Sequence, residues 1–197
     1  QGRQAADGVS CSVCHQISTA RLGAAESFNG GFVVSPPAGS DSRPEYGPYE
    51  VEAGHRRIML SSSEGYRPTQ SDHIRQSELC ATCHTLLTQA LGANGAVIGS
   101  LPEQVPYQEW LHSDFKDVQS CQSCHMTKLT EPAPITRVFG ALREGVSRHG
   151  FIGGNFFMLR LLNRYRDTLD VAALPHELTS AADRTIEFLA ARSAALH

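Results

Sequence analysis

Three five-residue segments constrain this chain more than any other feature. They are Cys11-Ser12-Val13-Cys14-His15, Cys80-Ala81-Thr82-Cys83-His84 and Cys121-Gln122-Ser123-Cys124-His125, and together they use all six cysteines. At this composition roughly 0.008 C-x-x-C-H matches are expected by chance, so three together are not accidental. Two thiols separated by two residues can add to the two vinyl groups of one haem, and the next histidine is then held under the iron as its proximal ligand. The spacing therefore predicts three covalently attached haem c groups, bound through Cys11, Cys14, Cys80, Cys83, Cys121 and Cys124. His15, His84 and His125 are the expected proximal iron ligands. A structural zinc site does not need a histidine at this fixed offset every time. A disulfide framework would not consist only of close neighbours with histidines appended. Thioredoxin-like chemistry needs a βαβ setting that the pattern does not suggest.

Six further histidines are candidates for the opposite faces of the irons: His55, His73, His112, His149, His176 and His197. A neutral imidazole close to iron binds it well. His149 precedes a glycine-rich stretch, Gly150-Phe151-Ile152-Gly153-Gly154, that lets a flat macrocycle approach the backbone. His73 lies seven residues before Cys80, too close for its own segment's haem but able to serve a neighbour. His55 follows a loop rich in glycine and proline, beside Arg56 and Arg57. These three, His55, His73 and His149, are the expected distal ligands. His112 reads more naturally as a helix-surface histidine, His176 as part of a linker before the C-terminal helix, and His197 as a frayed end. Met59 and Met158 are poorer candidates, Met158 being better suited to packing in an apolar helix. Met126 directly follows a proximal histidine and cannot easily reach the other face of the same iron.

Hydrophobic side chains make up 41% of the chain, and three porphyrins would add apolar plates to the core they form. The net charge of −3 and the absence of any basic run argue against nucleic acid as a partner. With ferric haems and ionised propionates the charge would be near −6, and near −9 on reduction, at about −1 and −2 per haem. Arg56, Arg57, Arg160 and Arg164 are available to offset it. No apolar run reaches the roughly 20 residues that span a membrane.

The expected architecture is one domain over 1–197, mostly α with extensive coil and organised around three haems, with its haem-binding region at 7–165. Residues 23–50, with Gly30-Gly31, Pro36-Pro37, Gly39, Pro44 and Gly47-Pro48, read as loop. Short helices are expected around 73–91 and 106–125. A helix capped by Asn155 runs to about Thr168, and a C-terminal helix with Ser180 as N-cap covers about 180–194.

Asp7-Gly8-Val9-Ser10 before the first motif, Tyr46-Gly47-Pro48-Tyr49 before His55, Ser77-Glu78-Leu79 before the second motif, Glu109-Trp110 before the third and His149 to Asn155 after it form an ordered pattern. In that order the chain resembles multihaem c-type cytochromes of bacterial respiratory electron transfer. The resemblance supports His55, His73 and His149 as distal ligands and gives His112 no such role. It implies an electron carrier between redox-protein donors and acceptors, with mainly bis-histidine haems, in the periplasm or outside the cell once a signal peptide is removed. Two other functions stay open: a haem enzyme of the nitrite- or hydroxylamine-converting kind with one open distal site, and a self-assembling haem wire or subunit of a larger redox complex.

Overall fold

The computed structural model describes residues 9–36, 42–63, 65–136 and 139–192. Asp7, Gly8, Pro37, Gly39, His197 and the expected end of the C-terminal helix beyond Arg192 lie outside the described residues. The chain divides into two compact units, with the division between Gln122 and Ser123.

The first unit begins with α1 (Cys11–Gln16), which is the first motif. It continues through β1 (Arg43–Gly47), α2 (Ala53–Ser62), β2 (Tyr66–Gln70), a 3-10 turn at Asp72–Arg75, α3 (Ser77–Ala81), β3 (Leu86–Leu91), β4 (Val97–Gln104) and α4 (Pro106–Leu111). The division falls inside α5 (Cys121–His125), the third motif. The second unit continues with β5 (Ala133–Pro134), β6 (Leu142–Arg143), α6 (Phe156–Arg164) and α7 (Pro175–Arg192).

The mostly α and coil expectation is thus corrected, because the described residues form three two-stranded sheets beside the helices. Residues 86–91, expected in a helix, are the first strand of an antiparallel hairpin, β3 with β4. Its turn is closed by the Gly92 N–H donating to Ala96 O at 2.7 Å. Asn94 (φ 61°) and Gly95 (φ 75°) both take the left-handed conformation there, and Asn-Gly between two apolar runs is the strongest short-range hairpin signal. Within the expected loop 23–50, β1 pairs in parallel with β2, from Arg43 beside Tyr66 to Gly47 beside Gln70. Parallel strands need a crossover, and α2 supplies it. A small βαβ unit therefore exists, contrary to the sequence reading. Its helix contains no cysteine, so it does not provide a thioredoxin-like site.

The polypeptide's own core is thin. Among the described residues the buried apolar side chains are Ile17, Leu79, Ala81 and Tyr107 in the first unit and Leu178 and Ala182 in the second. Small hydroxyls fill out the first: Ser27, Ser77, Thr82 and Thr85 are fully or almost fully buried. Ser27 Oγ donates to Ala24 O (2.7 Å) and Thr82 Oγ1 to Leu79 O (2.9 Å), which offsets the cost of burying these two, while the buried Thr85 Oγ1 has no hydrogen-bond partner among the described residues. In the second unit α6 begins as expected, with Asn155 Oδ1 accepting the Met158 N–H at 2.9 Å. The start of α7 is corrected. It begins at Pro175, a residue suited to the first helical position, and Glu177 Oε2 accepts the Leu174 N–H at 2.8 Å. Ser180 lies inside this helix and does not cap it, and His176 is in its first turn rather than in a linker.

Candidate functional site

Each C-x-x-C-H segment is helical or partly so. The first and third are the helices α1 and α5, and the second starts within α3 and ends in a turn at His84. A short helix puts residues i, i+3 and i+4 on one face, so the two cysteines and the histidine of the first and third motifs share a face. All six cysteines are thiols, with no disulfide between them.

The histidines of the first and third motifs are held by the same device. His15 Nδ1 bonds Tyr46 O at 2.5 Å, and His125 Nδ1 bonds Ile152 O at 2.6 Å. A carbonyl oxygen only accepts, so Nδ1 carries the proton in both rings. In the neutral imidazole the electron pair is then on Nε2, the arrangement a metal-binding histidine needs. The Ile152 N–H also donates back to His125 O at 3.1 Å, so residue 152 grips that histidine from both sides. Phe188 of α7 lies 6.3 Å from the His125 ring, centroid to centroid. Neither Tyr46 nor Ile152 was accessible to sequence reasoning, because they act through a backbone carbonyl that any residue carries. His84 is exposed; its own carbonyl accepts the Tyr107 N–H at 3.3 Å.

The first unit brings thiols of different motifs together. The Cys80 thiol hydrogen-bonds Cys121; that bond and burial push its pKa far above the usual thiol range. Burial, with Cys83 and Cys11 nearby, pushes the Cys14 thiol up as well. Both are neutral at neutral pH. The start of α5 is fastened to α3 and its approach. The Cys121 N–H donates to Ser77 Oγ at 3.0 Å, and Gln122 Nε2 donates to Gln76 O at 2.7 Å and Ile74 O at 3.3 Å. Among the described residues no three His, Cys, Asp or Glu side chains converge as a metal-binding set.

The expected distal histidines fall in different settings. His55 is part-buried in the first turn of α2, its Nδ1 3.8 Å from Glu52 Oε2. Gly54 beside it has no neighbour within 4 Å of an added Cβ. His149 is exposed, edge-on to Phe151 at 5.9 Å. Of the glycines that follow it, Gly153 has open space around a Cβ and Gly150 meets only Ile152 Cγ1 at 3.7 Å. Neither has a positive φ, so the polypeptide's own packing does not require glycine there. His73 differs from both. It is 3% exposed, with Nε2 on Ile17 O at 2.8 Å and Nδ1 on Ser71 Oγ at 2.7 Å. Ligation of iron by Nε2 would require giving up the Ile17 carbonyl. His112, directly after α4, is exposed and its Nδ1 donates to Gln108 O at 2.7 Å.

Three of the four arginines singled out in the sequence contact main chain or aromatic rings. Arg56 donates to Val51 O at 3.0 Å, and Arg160 and Arg164 lie over the rings of Phe156 and Tyr165. No helix among the described residues is long and apolar enough to cross a membrane. No family model matches the chain, and neither do any curated protein or solved structure.

Proposed function

We propose that the chain is a trihaem c-type cytochrome that carries electrons between redox-protein partners in the periplasm or outside the cell. The observation that carries this reading is the paired geometry of His15 and His125. Two histidines, each closing a C-x-x-C-H motif, donate Nδ1–H to a backbone carbonyl and so leave the electron pair of the neutral ring on Nε2. Nothing in ordinary packing asks for the same tautomer at the same motif position twice.

The other residues fit haem c. Six thiols are available in three C-x-x-C pairs. Gly54 beside His55, and Gly153 four residues after His149, have open space where a side chain would stand. The thin side-chain core matches a fold completed by apolar plates. When bound, haem c supplies one-electron chemistry at its iron. The chain's part is to attach, orient and shield. Tyr46 O and Ile152 O fix the imidazole planes, and Cys11, Cys14, Cys80, Cys83, Cys121 and Cys124 provide the thioether sulfurs. Arg56, Arg57, Arg160 and Arg164 are positively charged groups able to face propionates. His55 and His149 are the proposed distal ligands. His112 is the histidine suited to a third, since its Nδ1–H···O=C bond leaves the electron pair on Nε2.

The test uses the protein matured in a host that attaches haem c. Intact mass should exceed that of the polypeptide by three haems, and a carbon monoxide difference spectrum of the reduced protein should be flat. His55→Ala and His149→Ala should each create one carbon monoxide-binding haem. A mass without added haem overturns the proposal. A signal equal to one haem in the unsubstituted protein moves the reading to an enzyme with an open distal site.

A further inference from the structure

We infer that His73 is a positioning residue for the proximal ligand His15 and not itself an iron ligand; this rests on the haem reading above. His73 sits in the 3-10 turn Asp72–Arg75, immediately after β2. Its ring is buried and both its nitrogens have protein partners. Ile17 O accepts from Nε2–H, so in the neutral ring Nδ1 accepts from the Ser71 hydroxyl. Ile17 is two residues beyond His15 in sequence, at the end of α1, and is itself 2% exposed. One bond from His73 therefore anchors the end of the helix that presents His15.

A second contact reaches His15 from the other side. The His73 ring stands edge-on to the Tyr46 ring, with centroids 4.9 Å apart and planes at 77°. Tyr46 is the residue whose carbonyl oxygen accepts His15 Nδ1–H. Its strand is tied to the same turn, because β1 and β2 pair residue by residue and the Ser71 N–H donates to Gly47 O at 2.9 Å. His73 thus touches both fixtures that decide where the His15 ring lies: the helix end at Ile17 and the strand at Tyr46. An iron ligand would instead keep an electron pair aimed away from the protein. A buried imidazole with two satisfied nitrogens is costly to turn out of its place, since the carbonyl of the buried Ile17 would lose its partner.

The consequence is specific to one haem. Slack in the Tyr46 carbonyl bond makes His15 a weaker electron donor, which disfavours the ferric state and raises that haem's potential. The test compares wild type, His73→Ala and His73→Gln as haem-loaded proteins, by haem count, carbon monoxide difference spectrum and redox titration. The expected result for His73→Ala is three haems, no new carbon monoxide-binding haem, and one potential shifted upward. His73→Gln, whose side-chain amide can still donate to Ile17 O, should restore most of that shift. A carbon monoxide signal equal to one haem in His73→Ala, or three unchanged potentials, overturns the inference.

Should His73→Ala fail to load, the wild type decides the matter. With ¹⁵N-histidine labelling, iron-bound imidazoles resonate far outside the diamagnetic range. The His73 ring, assigned through loss of its signals in His73→Gln, should resonate inside that range. A strongly shifted His73 ring overturns the inference. Absence of haem in the wild type would instead show in the haem count, which separates failure of the haem reading from failure of this one.

Discussion

At the scale of single residues, the chemistry is governed by which atom of a side chain its neighbours occupy. His15, His125 and His112 all donate Nδ1–H to a carbonyl, while His73 donates from Nε2. The same residue type is thereby sorted into two tautomers by backbone oxygens. Tyr107 shows a comparable effect on titration. It is buried against Phe28 and stacked on Trp110, and its hydroxyl donates to Glu78 Oε1 at 3.3 Å. Burial first, and then the Glu78 carboxylate, push its pKa up to about 12. A tyrosine raised from its ordinary value of about 10 stabilises the fold fully below that value. That contribution disappears as pH rises from about 10 through about 12. Difference absorbance of wild type against Tyr107→Phe should therefore show the Tyr107 ionisation above pH 11. A Tyr107 step near pH 10 would contradict the packing described.

At the scale of elements, helix ends carry the clearest predictions. Asn155→Ala removes the acceptor of the Met158 N–H and should cost about 1 kcal/mol in urea unfolding of the second unit. Glu177→Ala should cost about 0.5–1 kcal/mol, because Glu177 holds the Leu174 N–H at the start of α7. Ser180→Ala should be neutral to within about 0.5 kcal/mol, since Ser180 is exposed within α7. A loss near 1 kcal/mol at Ser180 would restore it as the cap. Asn155 was legible in the sequence because a capping residue and the apolar periodicity of its helix are adjacent. The start of α7 was misplaced because Pro175 and Glu177, a complete start signal, stand one turn ahead of a serine that also resembles one. The β3–β4 hairpin was missed although Asn94-Gly95 announces it. The three leucines and the alanine of residues 86–91 suit either helix or strand, and only the turn decides between them.

At the scale of the whole molecule, the limiting quantity is apolar burial. Among the described residues the buried apolar side chains are few: Ile17, Leu79, Ala81, Tyr107, Leu178 and Ala182. Ile58, Met59 and Leu60 on α2 and Phe157 and Met158 on α6 are among the large apolar side chains left open. On the haem reading proposed above, so thin a side-chain core leaves the apolar plates of the haems to offset the conformational entropy lost on folding. The version with all six cysteines replaced by alanine should therefore keep some helical far-ultraviolet signal but show no cooperative thermal transition and little near-ultraviolet circular dichroism. The haem-loaded protein should show both. A cooperative transition in the cysteine-free chain would mean that the polypeptide stabilises itself.

The sequence by itself determined where the three thiol pairs and their histidines lie, because each C-x-x-C-H segment is local and no distant residue is needed to read it. It also located the Asn155 cap, for the same reason. What only the tertiary structure decided is how each histidine is used. The partners of His15, His125 and His73 are Tyr46, Ile152 and Ile17, which lie 31, 27 and 56 residues away along the chain and act through main-chain oxygens. A backbone carbonyl has no residue signature, so its role appears only when strand pairing and turns bring it to within hydrogen-bond distance of a ring. The same holds for the parallel pair β1–β2, whose short, proline-containing strands have little pattern of their own and are joined by their crossover.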